Sequence, residues 1–583
     1  MNTTTTGGGP KPAFWILLVV CVLGLVGFAL YKAGILAPEG KTDDIAKIDA
    51  DELAKLKAGA AKTDAEAPDG NAPTTVKEYN FVSSAKLPPV EGTASYKPLQ
   101  KGVVRFAINV WAGWAPIVFA NEGFKPGKEW VAADGKKFKV ELVLIDDPVA
   151  MRDAYASGNV HIGWATLDMV PLFLEELRKD SRVMPRVYQQ IDWSNGGDGI
   201  VGRGVENIGD LRGKTVVLAQ NSPSHYFLLN ALINAGVQPA EVNFKFTADA
   251  FQAAAAFNAD KKISAVVSWA PDIYNLAEVK GNKILVTTQT ANKLIADVWF
   301  ARADFAKDNT PILEGIMRGI FDAMVALKDD ANKQKVAEWM GKGYSIQPSE
   351  ALGMLGDAHW TNYAENREFF MNQNNPANFE RTWETAYYLY KKIGQVAQKT
   401  AFDQVMDFSL IQKLGKDAKY ASQKDEYTVT FTPRAVSTIK AESGEILTKT
   451  VVIHFFPNSA EIDKVIEVQE GDKTVKKPYD ANVPFVLEEI GKLAAQYGAS
   501  RIIIEGHTDA SMKGQVPDTA VKELSTQRAN AVKQALVNKY KTLQPNQFTA
   551  AGMGWDVPAD ENDPENHAKN RRVEIKVYPL EAQ

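Results

Sequence analysis

The sequence is poor in the side chains that build redox and metal sites. Its 583 residues include one cysteine, Cys21, and six histidines, and no two histidines are spaced as His-x-x-x-His. A single cysteine excludes both an internal disulfide framework and a cysteine-based metal site. The histidine spacing argues against a zinc hydrolase. We therefore expect neither a metal nor a cofactor.

The charge balance lacks a basic excess. Lysine and arginine number 66 against 71 aspartates and glutamates, which gives a net charge of −5. Because nucleic-acid binders neutralise phosphates with a basic surface, we expect no nucleic-acid partner. Hydrophobic residues make up 45% and charged residues 23% of the chain, as in globular proteins. At about 150 residues per domain, the length allows roughly four structural units.

One long hydrophobic run lies near the N-terminus. Residues 14–30 contain no charged side chain, and no Asp or Glu occurs between Phe14 and Leu36. We predict a cytoplasmic tail over 1–12 and a transmembrane anchor over 13–36. A cleaved signal peptide, with a weak cleavage site at 27–29, is the alternative. Without a carboxylate, this helix cannot supply the proton acceptor of an ion-driven motor.

Residues 37–100 have the composition of a linker. They hold twelve Ala, six Pro and eleven acidic residues, with almost no aromatic side chain before Tyr79. Such a segment buries too little apolar surface to order itself, so we predict a flexible tether.

From residue 101 to about 410, strand-like and helical segments alternate. Strand patterns at 103–110, 138–145 and 161–164 are separated by helical stretches, and the same order restarts after Ile200. This alternation predicts α/β folding with parallel sheets covered on both faces. The second lobe is expected over about 203–290, and the pattern from 310 to 406 is helical.

Several segments of this region carry a family resemblance. They are Trp114-Ala-Pro116, the run from Asn207 to Val217, Asn221-Ser-Pro-Ser-His225, and the run from Ala265 to Asp272. Their order resembles the periplasmic substrate-binding proteins of nitrate, sulfonate, taurine and thiamine-precursor ABC transporters. The resemblance implies a two-lobed periplasmic-binding-protein fold of type II, with crossings near 191–205 and 284–299 that let the lobes close on a ligand.

Ligands of open α/β sheets bind beyond the carboxyl ends of the strands. This rule selects a set of pocket candidates, namely Trp111, Trp114, Thr166, Asp168, Ser222, Ser224, His225, Trp269 and Asp272. Each has a structural alternative: Ser222 as a helix cap, the tryptophans as core residues, and His225 as a buried structural histidine.

Two kinds of ligand suit this set. Ser-Pro-Ser at a helix start favours an anion such as a sulfonate or carboxylate. Tryptophans together with Asp168 and Asp272 favour a cationic or heteroaromatic molecule. The sequence leaves both open.

The C-terminal region, 446–583, carries the more specific motifs. Gly506-His-Thr-Asp509, Leu524-Ser-x-x-Arg-Ala529 and Asn570-Arg-Arg-Val-Glu574 follow one another in this order. Together they resemble the OmpA-like peptidoglycan-binding domain. A connector over 411–445 would join it to the two-lobed region, residues 101–410, which we call the clamp. We predict strands at 451–456 and 501–506, a helix over 483–497, and a second helix opening at Leu524.

The resemblance implies which residues of this domain bind peptidoglycan. Asp509 would pair with the amine and Arg528 with the carboxylate of a diaminopimelate stem peptide, with Thr508, Asn570 and Arg571 close by. The alternative is a surface ion pair between Asp509 and Arg528. Two departures from the family pattern are a longer segment from Ala510 to Glu523 and a histidine, His567, where arginine is usual.

These parts predict a single-pass protein of the bacterial inner membrane with its bulk in the periplasm. It would capture or sense a small molecule for a membrane partner while tethered to peptidoglycan, and the partner would be a permease or a multi-span, motor-like protein. The alternative is a scaffold or stator-like subunit that anchors an envelope complex to the wall. No residue pair resembles a nucleophile with its base, so we expect no enzyme activity.

Overall fold

A computed structural model describes residue 76 and the ranges 78–471 and 473–580. The predicted tail, the predicted anchor and most of the predicted linker lie outside these residues. Within the described ranges, no helix combines the length and the apolar character that crossing a membrane requires.

The first lobe, lobe 1, is built on a seven-stranded sheet. Its strands lie side by side in the order Ala358–Trp360, Pro185–Ser194, Ala296–Arg302, Ile162–Thr166, Val103–Ile108, Lys137–Leu144 and Trp130–Val131. Val103–Ile108 pairs in parallel with both of its neighbours, whereas Ala296–Arg302 runs antiparallel to both of its own. The expectation of wholly parallel sheets is therefore wrong, since long antiparallel strands complete the sheet.

The second lobe, lobe 2, has a six-stranded sheet that also combines parallel and antiparallel strands. Its order is Phe81–Val82, Asn243–Thr247, Thr215–Ala219, Ala265–Trp269, Asp198–Arg203 and Asn282–Thr287. Thr215–Ala219 pairs in parallel with both neighbours. Asp198–Arg203 is antiparallel to the strands on either side of it.

Each lobe receives one antiparallel strand from the other lobe. Asp198–Arg203 enters lobe 2 directly after Pro185–Ser194 of lobe 1, and Ala296–Arg302 returns to lobe 1 after Asn282–Thr287. The chain thus crosses at 194–198, the first crossing, and at 287–296, the second crossing. Both lie inside the ranges expected from the sequence, so the two-lobed architecture is confirmed.

Helices cover the sheets close to the predicted positions. Asp147 caps one of them, because its carboxylate accepts the N–H groups of Val149 and Ala150 at 2.9 Å. The α-helices of the two lobes and the tail that packs on lobe 1 are Ala115–Ala120, Pro148–Ala156, Val170–Leu177, Pro223–Asn234, Ala250–Ala259, Asp272–Ala277, Ala303–Ala326, Asp330–Tyr344, Pro348–Met354, Tyr363–Met371, Phe379–Lys392, Ser409–Leu414 and Ala418–Ala421.

Residues 78–100, which we call the strap, do not form a free tether. Phe81–Val82 adds an antiparallel strand to the edge of lobe 2. Further on, Ala94 N–H donates to the carbonyl of Ala156 at 3.1 Å, and the Thr93 hydroxyl donates to Asp180 at 2.6 Å, both on lobe 1. The linker prediction fails here because Tyr79 is buried to 3% exposure in the core of lobe 2. The strap therefore links the two lobes a third time.

The C-terminal domain, residues 446–580, contains a four-stranded sheet. Its strands lie in the order Leu447–Val451, Val573–Pro579, Ser500–His507 and Phe548–Gly554, and its helices are Val483–Gln496, Asp518–Lys539 and the short His567–Asn570. A hairpin, Val465–Glu470 with Lys473–Pro478, and a connector helix, Val436–Glu442, complete this part. Two predictions are corrected: residues 452–456 form no strand, and the helix expected from Leu524 begins at Asp518.

The C-terminal domain contacts both lobes. Ile208 N–H of lobe 2 donates to Ile446 O at 3.0 Å, and Asn230 donates to Gln496 at 3.1 Å. On the helix Phe379–Lys392, whose Tyr390 contacts Asp168 of lobe 1 and His225 of lobe 2, Arg381 forms an ion pair with Glu488. The connector thus leads into a docked domain.

Glu488 is the acceptor at the centre of the contact with Arg381. Its carboxylate also accepts hydrogen bonds from Tyr540 and Lys539. Although burial opposes ionisation, these partners and Arg381 lower the pKa of Glu488 to about 2. Because the pKa in the folded state lies below its ordinary value, the stabilisation is present above about pH 4.5 and is lost as the pH falls toward 2.

We expect Glu488→Gln to lower the free energy of unfolding at pH 7 by about 1–3 kcal/mol, since charged partners lose their acceptor. The difference from the parent should shrink at pH 3. Thermal unfolding at both pH values measures this, and Glu523→Gln, an exposed position on the same domain, is the control. Equal losses for both variants would contradict the docking role.

Candidate functional sites in the clamp and the C-terminal domain

Three polar side chains form a row on the sheet of lobe 1 beside the crossings. Asp297 is the direct cross-strand partner of Asp192 on one side and of Thr166 on the other. Directly paired residues share a face and bring their Cβ atoms to about 5 Å. All three side chains are buried, and the indole N–H of Trp111 donates to one oxygen of Asp192 at 3.1 Å.

Two further carboxyl groups lie near this row. Asp168 follows the strand Ile162–Thr166 and accepts from the Tyr390 hydroxyl at 3.4 Å. Asp198 opens the first strand of lobe 2 and accepts from the Ser194 hydroxyl at 2.7 Å. Both are buried. Carboxyl groups from both lobes therefore meet at the crossings.

Burial dominates the acidity of these four groups. It raises the pKa of Asp168 and of Asp198 to about 7 and that of Asp192 to about 8. The pKa of Asp297 rises well above its usual range through burial and then through the negative charge of Asp192. No lysine or arginine of the described chain forms an ion pair with any of the four.

The sequence analysis selected Asp168 and Thr166 from this cluster but missed Asp192, Asp198 and Asp297. A usable signal existed, because all three lie inside the two segments predicted to cross between the lobes. The pairing of Asp192 with Asp297 could not be predicted, because it depends on the register between their two strands.

Close packing holds the cluster together. A Cβ added at Gly113 would lie 1.6 Å from an oxygen of Asp192, and one at Gly197 would lie 2.4 Å from the ring of Trp111. Glycine is therefore required where the first crossing and the loop after Val103–Ile108 approach these side chains.

The structure places Trp114 in the core of lobe 1. It is wholly buried, its indole N–H donates to Asn109 at 2.6 Å, and its ring meets Phe106 edge to face. The expectation that it lines a pocket is not supported, because its surface is fully covered by protein. Trp111, in contrast, is half-buried at the cluster.

The serine pair of lobe 2 is engaged by the protein. The Ser222 hydroxyl donates to Ala219 O at 2.8 Å, and its side chain does not cap the helix Pro223–Asn234. Ser224 accepts the indole N–H of Trp269 at 3.1 Å. Trp269 is half-buried and lies edge to face on Phe251.

His225 and Asp272 are also buried in lobe 2. His225 accepts Asn221 N–H through Nδ1 at 3.2 Å and packs against Phe246 and Tyr390. Burial lowers the pKa of His225 to about 3, so it is neutral near pH 7. Asp272 begins the helix Asp272–Ala277 and is wholly buried.

In the C-terminal domain, Asp509 is the centre of a charged site. Its side chain is 4% exposed, and it pairs with Arg571 and, at 3.1 Å, with Nδ1 of His567. Ser511 donates both its hydroxyl and, at 3.0 Å, its N–H to the same carboxylate. Although burial acts in the opposite direction, these hydrogen bonds hold the pKa of Asp509 well below its usual range.

Arg528 lies beside this site without pairing to Asp509. Its Nε donates to Ser459 O at 3.1 Å, and its guanidinium lies 5.1 Å from the centre of the Phe455 ring. Burial and then the charge of Arg571 lower the pKa of Arg528. The alternative of a mutual Asp509–Arg528 ion pair is therefore wrong within the described residues.

The other predicted residues frame the site. Asn570 accepts Ala559 N–H at 2.8 Å and donates to Asp563 O at 2.8 Å, so it fixes the loop over 559–566. Thr508 N–H donates to Gly554 O at 2.8 Å, and its hydroxyl is buried. Arg571 is half-exposed and reaches Asp509 directly.

Glu505, His507 and Glu574 come close enough together to hold a metal ion. Three cations already neutralise the two carboxylates: Lys440 lies 2.6 Å from Glu505, Arg572 lies 2.7 Å from Glu574, and Lys576 lies within 3.4 Å of both. The group is therefore an ion-pair network of the sheet.

The C-terminal region matches the OmpA family over residues 478–572. There the chain is 36% identical over 100 residues to the outer membrane protein Omp38 of Acinetobacter baumannii, a match that takes in 17% of this chain and 26% of the relative. The chain thus spans about a quarter of that relative's length.

The clamp region has relatives of a different kind. It is 27% identical over 214 residues to the taurine-binding periplasmic protein of Escherichia coli, which covers 35% of this chain and 64% of the relative. The E. coli periplasmic aliphatic sulphonate binding protein SsuA is similar in structure, with a TM-score of 0.41, 15% identity, and coverage of 58% of this chain and 98% of that chain.

One similar structure carries the name of an enzyme, the desulfurization enzyme DSZB, with a TM-score of 0.37, 14% identity, and coverage of 54% of this chain and 98% of that chain. The comparisons are consistent with a fusion of a binding-protein region and a C-terminal OmpA domain.

The placement of Trp114 can be tested by truncation. Removing a wholly buried aromatic ring costs about 3–5 kcal/mol, so Trp114→Ala should strongly destabilise the clamp, whereas Trp269→Ala should do so less because its ring is half-buried. Chemical denaturation monitored by circular dichroism compares the two variants. A stability for Trp114→Ala within about 1 kcal/mol of the parent would place the ring outside the core.

Proposed function

We propose that this protein is a solute-binding protein of the bacterial envelope whose C-terminal domain attaches it to peptidoglycan. The observation that carries the proposal is the site at Asp509. An ionised, nearly buried carboxylate lies beside Arg528, whose Nε donates to Ser459 O while its Nη groups point to no protein acceptor among the described residues. A zwitterionic arm with one amine and one carboxylate fits such a pair of opposite charges.

Diaminopimelate is the wall component with that arm. Its amine would approach Asp509, and its carboxylate would bind the guanidinium of Arg528, with Arg571 adding positive charge at the rim. The OmpA match over 478–572 supports wall binding in general. The choice of diaminopimelate rests on the charges of this site.

The clamp is proposed to capture a small solute between its lobes. Support comes from the strand exchange that joins the lobes at two crossings and from the polar groups gathered there. The anchor predicted at 13–36 would hold the protein in the inner membrane, with the clamp in the periplasm. A membrane partner, such as a permease, would receive the solute or the signal, and affinity purification from membranes tests this.

Wall binding is tested by truncating the two charges. We expect Asp509→Ala and Arg528→Ala each to weaken binding of the full-length protein to diaminopimelate-type sacculi by about 2–5 kcal/mol in binding free energy. The double variant should be scarcely worse than either single one, because both residues grip one ligand arm. Co-sedimentation measures the bound fraction, with Glu523→Ala as control.

Undiminished sedimentation of the double variant would overturn the site assignment. Sacculi with lysine in place of diaminopimelate give a second comparison. Equal binding to both wall types would leave a wall-binding domain but remove diaminopimelate as its ligand.

Solute capture is tested by releasing what the clamp carries. Full-length protein purified without denaturant should yield a small molecule in about equimolar amount when it is unfolded, because lobe closure traps the ligand. Mass spectrometry of the released fraction identifies it. Purified protein that releases nothing and shows no thermal shift with any solute extract from the periplasm would contradict the solute-binding function.

A further inference from the structure

Four buried aspartates beside the crossings bear on the charge of the ligand. Asp168, Asp192 and Asp297 on lobe 1 and Asp198 on lobe 2 are all at most 5% exposed. Burial raises the pKa of each of these carboxyl groups. Each also lies near at least one other member of the cluster. Without a positive charge beside them, carboxyl groups in a place that excludes water take up protons, as the raised pKa values here indicate, and a bound cation would let them ionise.

A second observation concerns two buried polar atoms of this row. The hydroxyl of Thr166 and the second oxygen of Asp192 make no hydrogen bond of standard geometry among the described residues. Their nearest polar neighbours are other carboxyl groups of the cluster, Asp168 for Thr166 and Asp297 for Asp192. Thr166 and Asp192 both belong to the cross-strand row through Asp297, so they face the same side of the sheet. Buried polar atoms are normally satisfied, and unsatisfied ones mark places where a further group binds.

The arginine on the strand that carries Asp297 is engaged elsewhere. Arg302 is the last residue of the strand Ala296–Arg302, at the opposite end from Asp297, and it pairs with Asp304. On lobe 2, Ser222 donates its hydroxyl proton to Ala219, and His225 is neutral because burial lowers its pKa. An anion placed between the lobes would therefore meet carboxyl groups and few donors.

We propose that the clamp binds a small organic cation through a primary ammonium group seated between Asp192, Asp297 and Thr166. This inference rests on the proposed solute-binding function and names the class of solute. An ammonium group has three donors, which match two carboxylates and one hydroxyl. The ring of Trp111, held on Asp192 by its indole N–H, lies beside the same seat and suits a cation.

The test compares probes of opposite charge on the full-length protein. The cations are n-butylammonium, 1,4-diaminobutane and agmatine; the anions are butane-1-sulfonate and succinate; taurine is the zwitterion. We expect at least one cation to raise the Tm and to bind in calorimetry, and the anions to do neither. Binding of the anions alone would overturn the inference and leave solute binding intact, and so would an anion among the solutes released from the purified protein. Failure of every cation would also overturn it.

Isosteric variants locate the binding. Asp192→Asn with Asp297→Asn should weaken the affinity for the cation by about 30-fold or more, since two charged acceptors are lost. Asp330→Asn, an exposed aspartate on a lobe 1 helix, should leave it unchanged. The Tm of the empty double variant should stay level or rise, because buried repulsion is removed, which separates lost binding from lost folding. Cation affinity that survives in a folded double variant would overturn the site.

Discussion

The second crossing, residues 287–296, is the segment on which the arrangement of the described protein depends. Its Thr288 hydroxyl is bonded to the first crossing through the Ser194 hydroxyl and the N–H groups of Gly196 and Asp198, all within 3.1 Å. Its Lys293 N–H donates to Gln496 O, and its Thr290 carbonyl accepts Ala499 N–H. Both lobes and the C-terminal domain therefore meet on one short stretch of chain.

This shared segment constrains how the clamp can move. Closure between lobes is a rotation about a few residues at the crossings. Here the strap already ties the lobes together. Asn230 holds the C-terminal domain to lobe 2, and Arg381 holds it to the helix Phe379–Lys392, which contacts both lobes. A rotation large enough to part the lobes must break some of these contacts. Ligand-driven movement and the position of the wall-binding domain are thus mechanically linked.

The same segment carries the electrostatics of the clamp. Asp198 lies where the two crossings are hydrogen-bonded, and Asp297 is the second residue of the strand Ala296–Arg302, which leaves the second crossing. Their carboxyl groups are excluded from water by the packing that joins the lobes. A charge change at the ligand seat therefore acts on the residues that also determine how the lobes and the C-terminal domain fit together.

The sequence predicted best what short motifs and local periodicity encode. The order of the C-terminal motifs located Asp509 and Arg528, and alternating residues located strands such as Lys137–Leu144. The sequence-based prediction failed where contacts with distant parts of the chain determine the structure. Residues 452–456 were expected to continue a strand, but the pairing ends at Val451 with Val573, after which the partner chain turns away into a helix. The strap looked like a tether by composition, yet Tyr79 and Phe81 find buried places on lobe 2 that no local pattern reveals.

The wall-binding site shows how far a motif specifies chemistry. Asp509 is paired with Arg571 and His567, so an incoming amine must share the carboxylate with them. A carboxylate has about four lone-pair positions, and Ser511, His567 and Arg571 occupy most of them. The amine therefore gains less from Asp509 than it would from a free carboxylate, while the Nη groups of Arg528 remain suited to bind the ligand's carboxylate. Recognition at this site consequently depends more on the contact between the ligand's carboxylate and Arg528.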